Sequence, residues 1–71
     1  MDRAMELRHL EQAQRHISEG ERRIAEQEQR IVRLAHRGAD TTEAQKLLNN
    51  FFAAQLQHIE HRERILKELE K

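Results

Sequence analysis

The chain has no cysteine, proline, tryptophan or tyrosine, and only two glycines and two phenylalanines in 71 residues. Each absence excludes something. Without cysteine there is no disulfide, no thiolate ligand for a metal and no thiol nucleophile. Without proline, no position is obliged to break a helix. Ser18 is the only serine, and no nucleophile-and-base pair or glycine-rich phosphate loop accompanies it. No enzyme activity and no cofactor are therefore expected. No apolar run approaches the ~20 residues needed to cross a bilayer. The opening MDRAMELRHLEQ lacks the apolar core of a signal peptide. A cytoplasmic location without membrane contact is expected.

An excess of either charge is also missing. Thirteen Lys and Arg balance thirteen Asp and Glu, for a formal net charge of zero. Residues 1–38 carry eight Arg against seven acids, and residues 39–71 carry five Lys or Arg against six acids. No basic block or tail stands out along the chain, so nucleic acid is not expected as a partner. Such a short and polar chain buries little by itself. Self-association is the natural remedy, and a further protein partner is left open.

What is present is the vocabulary of long helices: Ala, Glu, Arg, Leu and Gln. Helix 1 is predicted from about residue 3 to residue 37. Leu10, Ile17, Ile24 and Ile31 fall seven apart and set a heptad seam. Their companions are Ala13, Gly20, Gln27 and Leu34, so the seam is well filled at its ends and thin in its middle. Glycine costs about 1 kcal/mol relative to Ala inside a helix. Gly20 reads either as a tolerated weak spot or as a place of close approach by a partner helix. Gly38, after His36 and Arg37, gives the stop signal, with Leu34 and Ala39 spaced for the apolar contact of a Schellman motif. Asp40 follows as a cap for the next helix, with Glu43 three residues on as in a capping box; Thr41 is the alternative cap. The turn, at about residues 38–41, is short enough to fold the helices back antiparallel.

Helix 2 is predicted from about residue 41 to residue 70. Its main stripe reads Leu48, Phe52, Leu56 (or Gln55), Ile59, Leu66 and Leu69, and a second stripe reads Leu47, Phe51, Ala54 and Ile65. Counting inward from the turn brings Ile31 near Leu48, Ile24 near Gln55 and Leu56, and Leu10 near Leu69. From Leu47 to Ile59 there is no charged residue, although 37% of the chain is charged. Leu47, Leu48, Phe51, Phe52, Gln55, Leu56 and Ile59 make this window apolar over a wider arc than one partner helix covers. They are the candidate core and dimer interface. Leu10, Ile17, Ile24, Ile31, Leu34, Leu66 and Leu69 are the candidate hairpin core, and Gly38, Asp40 and Glu43 the candidate turn residues. Asn49, Asn50, Gln55 and Gln57 interrupt the window; a register-fixing role is expected for Gln55 and a solvent role for Gln57.

The remaining polar residues are expected to form a solvated exterior. Glu11–Arg15, Glu19–Arg23, Glu26–Arg30, Glu60–Arg64 and Glu63–Lys67 are acid-then-base pairs at i,i+4, a favourable order. Five histidines are many for this length. His58 and His61 lie at i,i+3, and the expected register sets His16 level with His61, so His16, His58 and His61 are candidate metal ligands. A structural zinc site wants four ligands, however, and half-buried boundary histidines are the plainer reading. Glu6-x-x-His9 matches a fragment of a di-iron motif without the inward carboxylates that such a site needs.

The segments HISEGERRIAEQEQRIVRL and GADTTEAQKLLNNFFAAQLQHIEHRERIL resemble a group of short, uncharacterised bacterial proteins. These share an EGERRIAEQ stretch, a G-x-DTTEA turn and an H-x-x-HR-x-RIL ending. The resemblance spans most of the chain and implies no activity. In architecture the chain is also similar to Rop-type RNA-binding hairpins, which dimerise into four-helix bundles. The expected fold is all-α: one domain over residues 1–71, an antiparallel hairpin of two long helices that dimerises into a four-helix bundle. The expected function is a non-catalytic interaction or scaffolding module that self-associates through the charge-free face of helix 2. The alternatives are a nucleic-acid-binding hairpin using the arginines of helix 1 and a metal-binding bundle using the histidines.

Overall fold

The computed structural model describes residues 2–71; residue 1 lies outside the described residues. They form two α-helices, α1 (Arg3–His36) and α2 (Thr42–Glu70), folded back into an antiparallel hairpin. The rod measures 54 × 14 × 13 Å. No described helix is long and apolar enough to cross a membrane.

The ends of the helices follow from their capping chemistry. Asp2 opens α1, its Oδ1 accepting from the Met5 amide at 3.3 Å. At the other end Gly38 adopts φ 71°. The Ala39 amide then reaches back to the Leu34 carbonyl (2.9 Å) and the Gly38 amide to the Ala35 carbonyl (3.0 Å). Those two bonds are the Schellman pattern, and they occupy carbonyls that the last turn leaves free. At the start of α2 the N-cap position belongs to Thr41, whose side chain makes no capping bond. Asp40, one residue earlier, does the work: its Oδ1 accepts from the Thr42 amide (2.9 Å) and hydroxyl (2.7 Å). The expected capping box does not close, because the Glu43 carboxylate pairs instead with Lys46 at 3.3 Å.

On α1 the positions that form the seam are Leu10, Ala13, Ile17, Gly20, Ile24, Gln27, Ile31 and Leu34, alternating in steps of three and four. On α2 they are Ala44, Leu48, Phe51, Gln55, His58, Arg62, Ile65 and Leu69. The α2 seam is therefore rotated from the expected stripe: Phe51 and Ile65 face α1, and Phe52 and Leu56 face out. The reason is geometric. Two successive steps of four, as in Leu48, Phe52, Leu56, each advance about 40° beyond a full turn, so that stripe winds away from a neighbouring helix. The observed seam keeps strict heptads along the whole of α2.

The observed seam admits polar side chains, three of which donate hydrogen bonds. Gln27 Nε2 donates to the Ala44 carbonyl (2.9 Å) and Gln55 Nε2 to the Ile17 carbonyl (2.8 Å). Half-buried Arg62 lays its stem in the seam and gives Nε and Nη2 to Glu63 Oε1 at 3.1 and 2.9 Å. These contacts also correct the register. Gln55 meets Ile17 and Gly20 rather than Ile24, and the Leu69 carbonyl accepts from Arg3 Nη1 (3.2 Å) rather than Leu69 lying level with Leu10. α2 thus sits about one turn further from the tip of α1 than symmetric counting from the turn places it. The physical cause is the Gly20 notch, which fixes where the Gln55 amide fits.

Candidate interaction surface

The centre of the hairpin is a node of three residues. Gln55 is 8% exposed and spans the seam to the Ile17 carbonyl. Its Oε1 lies where a Cβ on Gly20 would stand, and finds no hydrogen-bond donor among the described residues. Only the second Cα hydrogen of Gly20 points at it, a weak C–H donor. Of the two readings of Gly20, the close approach is the one seen. Beside this node is an open groove of about 300 Å³, lined by His16, Glu19, Arg23, Phe51, Ala54 and His58 among others. His16 and His58 meet here, ring centroids 5.1 Å apart and tilted by 49°. The corrected register pairs His16 with His58, and His61 is exposed elsewhere on the helix. Among the described residues no three His, Asp or Glu come together to hold a metal ion. His16, His58 and His61 are thus not brought together as a ligand set. Glu6 Oε1 approaches His9 Nδ1 at 3.7 Å, a local contact one turn apart on α1.

If α1 positions 10, 17, 24 and 31 are labelled a, and α2 positions 48, 55, 62 and 69 likewise, the flanks of the seam become legible. In an antiparallel pair the e lines of both helices border one side of the seam and the g lines the other. The e line of α2 reads Gln45, Phe52, Ile59, Leu66, and Leu56 lies beside it at b. Phe52 is 46% and Leu56 57% exposed, whereas Ile59 and Leu66 are half-buried at the margin of the seam. On the same side α1 adds exposed Leu7 at e and Val32 at b. Leu47, also exposed, lies on the opposite flank with Ala54. Of the charge-free window, Leu48, Phe51 and Gln55 thus go to the hairpin seam and Phe52, Leu56 and part of Ile59 to an unpartnered apolar strip. Leu10, Ile17, Ile24, Ile31, Leu34 and Leu69 all lie in the seam.

The ion pairs differ from those expected. The five i,i+4 pairs read from the sequence are not among the salt bridges of the described residues, which instead join Arg22–Glu26, Lys46–Glu43, Arg62–Glu63 and Lys71–Glu68. Charge on α1 is segregated around the helix. Its f line is Arg8, Arg15, Arg22, Gln29, His36 and its g line His9, His16, Arg23, Arg30, Arg37. Counting charges along the chain conceals this. The signal in the sequence is a pair with at least one basic residue, repeated every seven positions before residues 10, 17, 24, 31 and 38: Arg8-His9, Arg15-His16, Arg22-Arg23, Gln29-Arg30 and His36-Arg37.

Among the described residues, Asp40 titrates away from its ordinary range. The Asp40 carboxyl is lowered from 3.8, first by the hydrogen bond from the Thr42 hydroxyl and then by that from the Thr42 amide, which outweigh a small burial effect. It holds the turn together at the start of α2. The molecule is an all-α helical hairpin whose distinctive features are an apolar strip and a basic band. Compared with protein-family models, with curated proteins and with solved structures, the chain matches none.

Proposed function

We propose that this hairpin is a non-catalytic interaction module that pairs with a second copy of itself through the apolar strip of α2, completing a four-helix bundle. The observation that carries this reading is Phe52 and Leu56, large and exposed, in a stretch of α2 with no charge from Leu47 to Ile59. Isolated apolar residues on a surface are ordinary, but a row of them along one helix flank invites a partner. Area supports the same reading. The hairpin exposes 5566 Å². A compact monomer of 8.5 kDa exposes about 4,650 Å² by the usual mass scaling. The excess of roughly 900 Å² matches the roughly 800 Å² that each partner buries in a standard interface. The hairpin's own core is also small: Ala13, Ile17, Leu48 and Ile65 are its buried apolar residues. A bacterial, cytoplasmic setting goes with this reading through the resemblance of the three sequence motifs.

Light scattering over a micromolar dilution series tests it. The expected mass is twice 8.5 kDa, and Leu56→Glu should halve it while leaving the helices in place. A folded monomer throughout the series would overturn the proposal.

A further inference from the structure

The f and g lines of α1 form one band. At about 1.5 Å per residue, positions 8 to 37 extend roughly 45 Å, most of the length of the rod. All ten side chains on the two lines are exposed, and none is a carboxylate. Between the two lines runs the c line of Gln12, Glu19, Glu26 and Arg33, and the whole band carries seven arginines and three histidines against two carboxylates. Of the acids of α1, Glu6 lies in the seam and Glu11, Glu21 and Glu28 on the apolar flank, while Glu19 and Glu26 stand on the c line inside the band. Among the described residues only Arg22 (to Glu26, 4.0 Å) and His9 (to Glu6, 3.7 Å) approach a carboxylate. Across the groove α2 offers no compensating charge from Leu47 to Ile59. Arg23, Arg30 and Arg33 share one shallow groove there with Phe51.

We propose that this band binds the phosphate backbone of double-stranded nucleic acid, without reading its sequence. Guanidiniums carry a planar fork of donors that suits phosphate oxygens. A straight row of them, repeating about every 10 Å, suits a stiff polyanion. The other anionic partners fit less well. Single strands are held by a succession of aromatic stacking platforms, and the band has beside it the one half-buried ring of Phe51. A membrane surface takes a helix whose basic face adjoins an apolar one, whereas here the apolar strip borders the opposite side of the seam. The inference does not rest on self-association, because the band belongs to a single hairpin and lies away from the strip proposed to pair.

The test is anisotropy titration of two unrelated duplexes of about 20 base pairs, longer than the roughly 13 that the band spans at 3.4 Å per pair. Binding should appear at about 50 mM salt, be equal for both sequences, and weaken steeply towards 200 mM. The variant Arg22→Gln/Arg23→Gln/Arg30→Gln should lower the log–log salt slope by about 3, one phosphate contact per arginine. Lys46→Gln/Arg64→Gln/Lys67→Gln removes the same charge from α2 and should leave the slope unchanged. Phe52→Glu, designed to be monomeric, should still bind with the band's salt dependence. Equal losses in both triple variants would reduce the effect to net charge and overturn the proposal. So would no duplex binding at low salt, tighter binding to a single strand, or tighter binding to phosphatidylglycerol vesicles.

Discussion

Gly20 and Gln55 claim the same space: a Cβ on Gly20 would stand 2.7 Å from Gln55 Cδ and closer still to Oε1. Alanine in place of an interior helical glycine ordinarily stabilises by about 1 kcal/mol. Here the gain requires the Gln55 amide to swing away and give up its bond to the Ile17 carbonyl, a loss of about 1 kcal/mol or more for a buried group. Gly20→Ala should therefore bring little or no gain in the parent chain and about 1 kcal/mol in a Gln55→Ala background. A thermal double-mutant cycle measures the difference. Equal gains in both backgrounds would show that the two residues do not compete.

That node also shows what the sequence can and cannot say. The two helices, their limits within about one residue, and the Schellman turn at Gly38 were legible because each depends on residues adjacent in the chain. The rotation of α2 was not. Apolar count favoured Phe52 and Leu56 for the seam, but the hairpin buries Phe51 and Gln55 there. Choosing between the two arcs needs the partner helix, with its notch at Gly20 and the Ile17 carbonyl beside it. The basic band was legible in principle, since Arg8-His9, Arg15-His16 and Arg22-Arg23 repeat every seven residues. Arg15, Arg22, Arg30, Arg33 and Arg37 are what the nucleic-acid alternative rests on in the sequence, and counting charge along the chain dilutes them.

Gly38 gives a backbone effect free of packing. Its φ is +71°, and an added Cβ would meet nothing within 4 Å. Gly38→Ala should thus cost only the left-handed penalty of about 1–2 kcal/mol. Gly38→Asn should cost less, because asparagine enters that region more readily. Denaturant midpoints of the two variants test the order. A Gly38→Ala chain as stable as the parent would mean that the turn has another conformation.

Asp40 makes stability depend on acid. Its folded-state carboxyl titrates below the ordinary 3.8, chiefly through the Thr42 hydroxyl and then the Thr42 amide. A carboxylate lowered on folding contributes stability that is fully present above the unfolded value of about 3.9. That contribution is lost as pH falls through the lower, folded value. Melting temperatures at neutral pH should therefore fall in Asp40→Ala. The gap from the parent should narrow below about pH 4. Thr42→Val, which removes the larger cause, should narrow it from the parent side. A gap between Asp40→Ala and the parent that is constant from pH 7 to pH 3 would mean that the carboxylate form does not matter to the turn.

Phe51 and Phe52 point about 100° apart on one helix, and the structure gives them different work. Phe51 is half-buried in the seam against α1, and Phe52 stands 46% exposed on the outer strip. Phe51→Ala should weaken the hairpin itself, by less than the about 3–5 kcal/mol of a fully buried ring, at every protein concentration. Phe52→Ala should act through association. Its melting temperature should lose the concentration dependence of a dimer, while the dilute-limit stability stays near that of the parent. Melting curves across a hundredfold concentration range separate the two effects. If Phe52→Ala keeps the parent's concentration dependence, the strip is not the pairing surface, and the second copy must dock elsewhere or not at all.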